Sequence, residues 1–438
     1  MGGNMFAKIL KKIEIILKSP KTLVILGFMC LYLLLGIFFS YKHFTYNDND
    51  FFFGADNARA FKDLTAFHAD HYRAKVHPLF ILLFQPIIYI LNFAFANIVS
   101  VIILQSIIGA ASIAILFKIL ELFKIDEKIA IILTLIYGFG FTNMIFTAIP
   151  ETFIFASFLL LLMWWYILKL IDKNASLTIQ DYLLLILLGI GALAITITNI
   201  VQYCIALVLL IYIKDKNNSI IKSIFNLLYK TFIIITLVIL LSIGLAIVQK
   251  VIWHSAENFF VNLIDMKDNS SNEEFRYMDF SISTSKVKEG IVVFFGNSIT
   301  ASKVEYDQNS KTLYFHETNV INKIMIIMLS TLIVGTMIGM LKNKSTIDDK
   351  LFLAALVLAL SFNFVLHIIY GSYEQFLYSQ HFMFLVILII GLGFKFYKKN
   401  NLKYLIPILI VYLLFELVFN FTAVLKVYHY VGIYFPNV

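Results

Sequence analysis

The stretch HPLFILLFQPIIYILN, His77–Asn92, decides how the rest of this chain threads. It is apolar, yet only 16 residues long, with Pro78 and Pro86 inside it and Gln85 near its middle. Crossing about 30 Å of hydrocarbon takes about 20 apolar residues. Lysine placement separates the two threadings. If His77–Asn92 does not cross, the lysine-bearing loops between Lys118 and Lys230, and between Lys342 and Lys403, share a side with the N-terminal lysines. If it crosses, those loops all move to the opposite side. Cytoplasmic loops carry the excess of Lys and Arg, so the stretch reads as a juxtamembrane helix on the outer surface.

The flanking chain fixes the class. Of 438 residues, 60% are hydrophobic, with a mean hydropathy of +0.86, and the apolar residues come in runs of about 17 to 25, the length of a membrane crossing. The expectation is an all-α polytopic membrane protein with eleven spans. They lie at Leu23–Ser40, Ile98–Phe117, Ile129–Ala148, Phe153–Leu170, Tyr182–Thr198, Ile200–Ile213, Leu227–Val251, Ile324–Met340, Leu351–Tyr370, Phe376–Phe394 and Leu405–Val424. Residues 1–251 form a first transmembrane module, with an outer first loop at 41–76 and the juxtamembrane helix at 77–92. Residues 252–322 form an extracytoplasmic loop, and 323–438 the C-terminal helices. Within the second loop, KVEYDQNSKTLYFHE alternates around Asp307-Gln308-Asn309-Ser310, as a β-hairpin does.

The first span follows a Lys-rich start with no small-residue cleavage site and reads as a retained signal anchor, which puts the N-terminus in the cytoplasm. Cys30 and Cys204 both fall inside predicted spans and support neither a disulfide nor a thiolate metal site. The formal charge of +8 is scattered over short loops, so topology explains it and nucleic acid does not.

Ionisable side chains concentrate between Phe51 and Pro86. Asp56, Arg59 and Asp63 fall at i, i+3 and i+7, one face of a helix. Asp56 suits a general base for an acceptor hydroxyl; equally, Asp is a favoured N-cap. In His71-Tyr72-Arg73-Ala74-Lys75-Val76-His77-Pro78, Arg73 and Lys75 can clamp a phosphate, or can simply anchor the chain at the interface. His68, Asp70 and His71 have spacing compatible with a cation, but no metal-site motif accompanies them. Glu151 follows Pro150 at the outer end of the third span, where a helix start favours a carboxylate in any case. Asn199 and Gln202 break two spans with polar groups, and Tyr373, Glu374 and His381 make a further polar cluster at the outer edge. Polar groups at membrane depth face a cavity or the bundle interior.

These positions resemble the GT-C glycosyltransferases, the class that includes protein O-mannosyltransferases and aminoarabinose transferases of lipid A. The likeness rests on Asp56 in GADNAR, on His77-Pro78-Leu79-Phe80 after the first outer loop, and on Glu151 in AIPETF. It covers about the first 170 residues. Asn57 follows Asp56 where the mannosyltransferases pair Asp with Glu, and Leu79 replaces a second proline. The resemblance implies a membrane transferase moving a sugar from a polyprenyl-phosphate donor to a cell-envelope glycan, lipid or protein, outside the cell inner membrane. Asp56 would be the base and Glu151 its helper, while Arg73, Lys75 and Arg59 would hold the donor phosphate. His77, Asn199, Gln202, Tyr373, Glu374 and His381 would contact substrate. No cofactor is required, although a divalent cation is compatible. The rivals are a glycan polymerase or ligase and a flippase of a lipid-linked sugar, but the chain lacks the repeated halves of many transporters.

Overall fold

The computed structural model describes residues 19–43, 51–173, 175–216, 220–257, 280–316, 320–342, 345–371, 374–397 and 399–434. The chain is helical almost throughout. Its first half contains α1 (Pro20–His43), α2 (Asn57–Thr65), a 3-10 turn (Tyr72–Lys75), α3 (Phe80–Leu91), α4 (Asn97–Leu122), α5 (Glu127–Phe139) and α6 (Phe141–Phe146). These are followed by α7 (Phe153–Asp172), α8 (Ile179–Ile195), α9 (Asn199–Asp215) and α10 (Ile220–Ile252). The second half contains α11 (Thr284–Val292), the strands β1 (Val304–Asp307) and β2 (Thr312–Phe315), α12 (Val320–Lys342), α13 (Ile347–Ile369), α14 (Met383–Phe394) and α15 (Lys399–Tyr434). Among the described residues, seven helices (α1, α4, α7, α10, α12, α13 and α15) are long and apolar enough to cross a membrane. This is a multi-pass membrane protein.

Local chemistry explains where several helices begin. Asp126 accepts the Lys128 N–H at 2.9 Å to start α5, Thr178 and Asp181 form a reciprocal capping box on α8, and Thr346 accepts the Asp349 N–H at 3.1 Å on α13. α4 packs between α1 and α7, while α14, apolar on every side, is enclosed by α4, α5, α12 and α13. α10 and α12 instead turn large apolar side chains such as Phe232, Leu240 and Ile327 outward, as lipid-facing helices do.

One face of the bundle is marked by ion pairs between helix ends. Lys21 at the start of α1 meets Glu121 at the end of α4, and lies 3.5 Å from Glu127 at the start of α5. Lys124 reaches Asp172 at 3.1 Å, Lys216 reaches Asp348 at 2.5 Å and Lys395 reaches Asp349 at 2.7 Å. Exposed pairs of this kind add little stability; their value is in showing that these ends share a face. α1 and α4 are therefore antiparallel. Between them α3 has 12 residues, about 18 Å of helix, well short of the hydrocarbon thickness.

The expected third span, Ile129–Ala148, is not one continuous helix: it breaks at Gly140 into α5 and the short α6. A break in an apolar environment leaves backbone groups that must find partners, and here later segments supply them. The N–H groups of Phe141 and Thr142 donate to the carbonyls of Ile299 (3.0 Å) and Ser298 (3.1 Å). Asn420 on α15 donates to the carbonyls of Phe139 (2.8 Å) and Ile299 (2.6 Å) and accepts the Ala301 N–H at 2.7 Å. The Gly140 position is tight as well, since a Cβ there would lie 2.1 Å from Met383 Cε.

The strands form an antiparallel hairpin, Val304 opposite Phe315 and Asp307 opposite Thr312. Asp307 closes the turn by accepting from Asn309 N–H (3.0 Å) and the Ser310 hydroxyl (2.7 Å). The hairpin docks on the first loop: Leu313 N–H donates to the Phe51 carbonyl at 2.8 Å and Gly54 N–H to Thr312 Oγ1 at 3.2 Å. Phe53 and Gly54 are left-handed, at φ 57° and 83°, and this kink turns the Phe53 ring onto Phe315 at 4.9 Å.

Asn420 thus satisfies three backbone groups at the break. Asn420→Leu should orphan the Phe139 carbonyl and the Ala301 N–H, each costing about 1–3 kcal/mol when buried, while Ile299 O keeps the Phe141 N–H, and should lower the thermal unfolding midpoint of the purified protein by several degrees. Thr422→Ala, on the same helix but bonded only to its own Val418 carbonyl, should leave the midpoint nearly unchanged.

Candidate functional site

Asp56 sits at the N-cap position of α2, but its carboxylate makes no bond to the helix N–H groups. The capping alternative is therefore not realised. The carboxylate turns instead to two guanidiniums, in direct contact with Arg73 and 3.5 Å from Arg59. Arg59 also lies over the Tyr72 ring, 4.0 Å from its centroid, and the Lys75 ammonium stands 5.9 Å from the same ring. The 3-10 turn brings Arg73 and Lys75 back beside the start of α2.

Asp63, on the same helix, is buried and does different work. It accepts from His71 Nδ1 at 2.7 Å. Burial pushes its carboxyl pKa up, and the His71 bond opposes that shift. Gln85 of α3 donates to the Asp63 carbonyl at 2.8 Å and to that of Ala66 at 3.2 Å, while the Trp253 indole N–H donates to Gln85. Gln85, the polar residue near the middle of the His77–Asn92 stretch, is the residue that locks the loop onto α3.

His77 and Leu79 finish another helix. The last carbonyls of α8 have no intrahelical donors. His77 Nδ1–H donates to Ile195 O, and Leu79 N–H donates to Ala194 O at 3.0 Å. Gln249 of α10 secures the same turn, donating to Pro78 O at 2.8 Å and accepting the Leu82 N–H at 3.1 Å. Burial, reinforced by the Arg73 guanidinium, lowers the His77 pKa to about 3, with the Ile195 carbonyl opposing. One nitrogen of His77 is thus committed to the fold.

Glu151 is buried at the entrance to α7. Its Oε1 accepts from the Thr152 N–H (2.7 Å) and hydroxyl (3.0 Å). Burial pushes its pKa up, while the Thr152 bonds and then the charges of Arg73 and Arg59 pull it back. Phe153, two residues on, lies with its ring 6.3 Å from His77, 5.5 Å from Tyr378 and 5.3 Å from His381. His381 donates from Nδ1 to Asn199 Oδ1 at 2.6 Å, and Gln202 donates to the His381 carbonyl at 2.8 Å. Tyr378 stands within electrostatic reach of Arg73, Glu151 and Glu374, and Glu374 packs on Gly54, where a Cβ would lie 2.9 Å from its Cγ.

Asp56, Arg59, Arg73, His77, Glu151, Asn199, Gln202, Glu374 and His381 thus gather from four separate segments. Lys75 lies at the margin, and Tyr373 lies outside the described residues. Around Phe153, Glu151 Oε2, Asn199 Nδ2, Gln202 Oε1, His381 Nε2 and both ring nitrogens of His367 are buried without a hydrogen-bond partner. Native proteins leave few such atoms; here they form a polar cluster with unused capacity for hydroxyl groups. The Asp63–His71 pair and the ring of Phe153 carry no motif by which sequence reading could find them. Among the described residues, no three His, Cys, Asp or Glu side chains gather closely enough to hold a metal ion. Glu416 on α15 is buried with both carboxyl oxygens unpartnered.

No known family model matches the chain, and a search of curated proteins finds no match.

His77 gives a pH prediction with a definite sign. Its pKa falls from an ordinary 6.5 in the unfolded chain to about 3 in the fold, so protons favour the unfolded state between those values. The stability it contributes is complete above about pH 6.5 and is lost as pH falls toward 3. His77→Asn, which keeps a donor for Ile195 O but cannot titrate, should flatten the fall in unfolding midpoint measured from pH 8 to pH 5. An unaltered slope would remove His77 as its source.

Proposed function

We propose that the chain is an integral-membrane glycosyltransferase. It would move a sugar from a polyprenyl-phosphate donor of the undecaprenyl type to a cell-envelope acceptor, on the outer face of a bacterial-type inner membrane. The observation that carries the reading is the convergence, at one end of the bundle, of a carboxylate paired to two arginines with a cluster of unpartnered buried polar atoms. The resemblance of GADNAR, HPLF and AIPETF to GT-C motifs supports the same class. The reading takes eleven crossings, with α3 lying in the outer interface, the ion-paired face in the cytoplasm and the N-terminus on that cytoplasmic side.

In this mechanism the ion pairs of Asp56 are a resting state. A donor phosphate entering beside Arg73 and Lys75 competes for their cations, because guanidinium binds phosphate and carboxylate with the same bidentate geometry. Asp56 is then freed to accept the proton of the acceptor hydroxyl. The acceptor oxygen bonds to the anomeric carbon as the bond from that carbon to the phosphate oxygen breaks. The electron pair leaves on the lipid phosphate, and the arginines stabilise it. Attack opposite the leaving group inverts the anomeric carbon. Glu151, buried beside the arginines, orients the acceptor or the base.

Loss of a general base typically costs 10²- to 10⁴-fold. Asp56→Asn should therefore reduce transfer from a polyprenyl-phosphate sugar at least roughly a hundredfold, with expression and unfolding midpoint kept. Turnover at the wild-type rate would take Asp56 out of the mechanism. Arg73→Ala should raise the KM for the donor by roughly tenfold, and Arg73→Lys should recover only part of it, since a point charge lacks the fork. Equal effects on donors with and without a phosphate would refute that role.

A further inference from the structure

A cavity lies beside the site. It is a cleft of about 970 Å³ between α11, the hairpin and the segment at 374–376, and it includes Gly54 and Glu374, the residues that border the Asp56 cluster. Its walls are mixed. Tyr314, Phe315 and Phe376 contribute aromatic rings, and Ser285, Thr312 and Asn297 contribute hydroxyl and amide groups. Charges of both signs occur at its rim, Lys288 and Lys323 against Glu289 and Glu374, so the cleft sets no demand for a charged ligand. Gln375 is the informative residue. It lines this cleft, is only 3% exposed, and neither its Nε2 nor its Oε1 has a hydrogen-bond partner. A buried primary amide left with two donors and an acceptor unused costs free energy. That cost is offset when a ligand supplies both an acceptor and a donor.

We infer that this cleft binds the acceptor and that the acceptor is a carbohydrate chain, not a lipid headgroup or a protein side chain. Adjacent sugar hydroxyls donate and accept at once, which matches the unpaired Gln375 amide and the exposed Ser285 hydroxyl. The C–H faces of a sugar ring pack on aromatic rings such as Tyr314. A volume of about 970 Å³ stands at the upper end of small-molecule sites, which run to about 1,000 Å³, and so has room for several sugar units. The end of the cleft at Gly54 and Glu374 would deliver a terminal hydroxyl toward Asp56, two residues beyond Gly54 in the chain. The acceptor role rests on the transferase reading; occupancy by carbohydrate does not.

The test places the photo-crosslinking residue p-benzoylphenylalanine at Tyr314 of the full chain in its own cells, with a second variant carrying it at exposed Val320, outside the cleft. Irradiation should give a Tyr314 adduct that is destroyed by periodate and survives protease and organic extraction. Gln375→Ala should remove most of this adduct. Asp56→Asn should retain it, because the cleft is separate from the base. A protease-sensitive or solvent-extractable adduct would overturn the inference, as would one no stronger than at Val320. If the periodate-sensitive adduct forms but Asp56→Asn transfers sugar normally, the carbohydrate cleft stands and the mechanism built on Asp56 fails.

Discussion

The Asp56 carboxylate held between Arg59 and Arg73 is the interaction around which the upper face of this protein is arranged. Three charged groups at the edge of a low-dielectric bundle are tolerable only if they neutralise one another and if the backbone holding them is itself satisfied. Each neighbouring feature meets one of these needs. The Asp63–His71 bond and Gln85 fix α2 and the turn that carries Arg73. His77 and Leu79 fasten the same loop to the last carbonyls of α8. Phe53 and Gly54, in left-handed conformation, let the hairpin close on the loop from the other side.

The bundle beneath is cut to support this surface. The break at Gly140 and the segment Ser298–Ala301 satisfy each other's backbone groups with Asn420 between them. A discontinuity in one helix is thereby turned into a joint between the neighbours of the first loop and the later segments. The break lowers α6 toward Phe376 and Phe53, whose rings lie 5.5 Å and 5.9 Å from Phe141. Through these contacts Glu151, at the start of α7, comes near arginines from a loop roughly 80 residues earlier.

Much of this was legible in the sequence, and the exceptions have physical causes. Runs of apolar residues place the helices because length alone fits them to a bilayer. The hairpin was legible from alternation around Asp307–Ser310, a local signal. The lysines at helix ends mark one face because the same bias that orients helices also supplies their ion pairs. The break at Gly140 was hidden, since a glycine in an apolar run is equally compatible with an unbroken helix and only the distant Asn420 tips the balance. The commitment of His77 to Ile195 O was hidden for the same reason: its partner lies 118 residues away. Asp56 was legible as a special carboxylate but not as one turned from its helix toward Arg73, because capping and ion pairing draw on the same residue types. Phe153, which links the segments, looks like an ordinary aromatic residue of a membrane helix until the fold brings it against His77, Tyr378 and His381.

The central claim is that the Asp56–Arg73 surface faces outward while the ion-paired helix ends face the cytoplasm. Sidedness of single cysteines tests it most directly, in intact spheroplasts treated with an impermeant maleimide after Cys30 and Cys204 are replaced. Asp70→Cys and His316→Cys, exposed on the site face, should react without permeabilisation. Lys124→Cys and Lys395→Cys, on the opposite face, should react only after it. Reaction of all four from outside, or of the second pair alone, would contradict the account, because donor and acceptor would then have no common outer surface on which to meet Asp56.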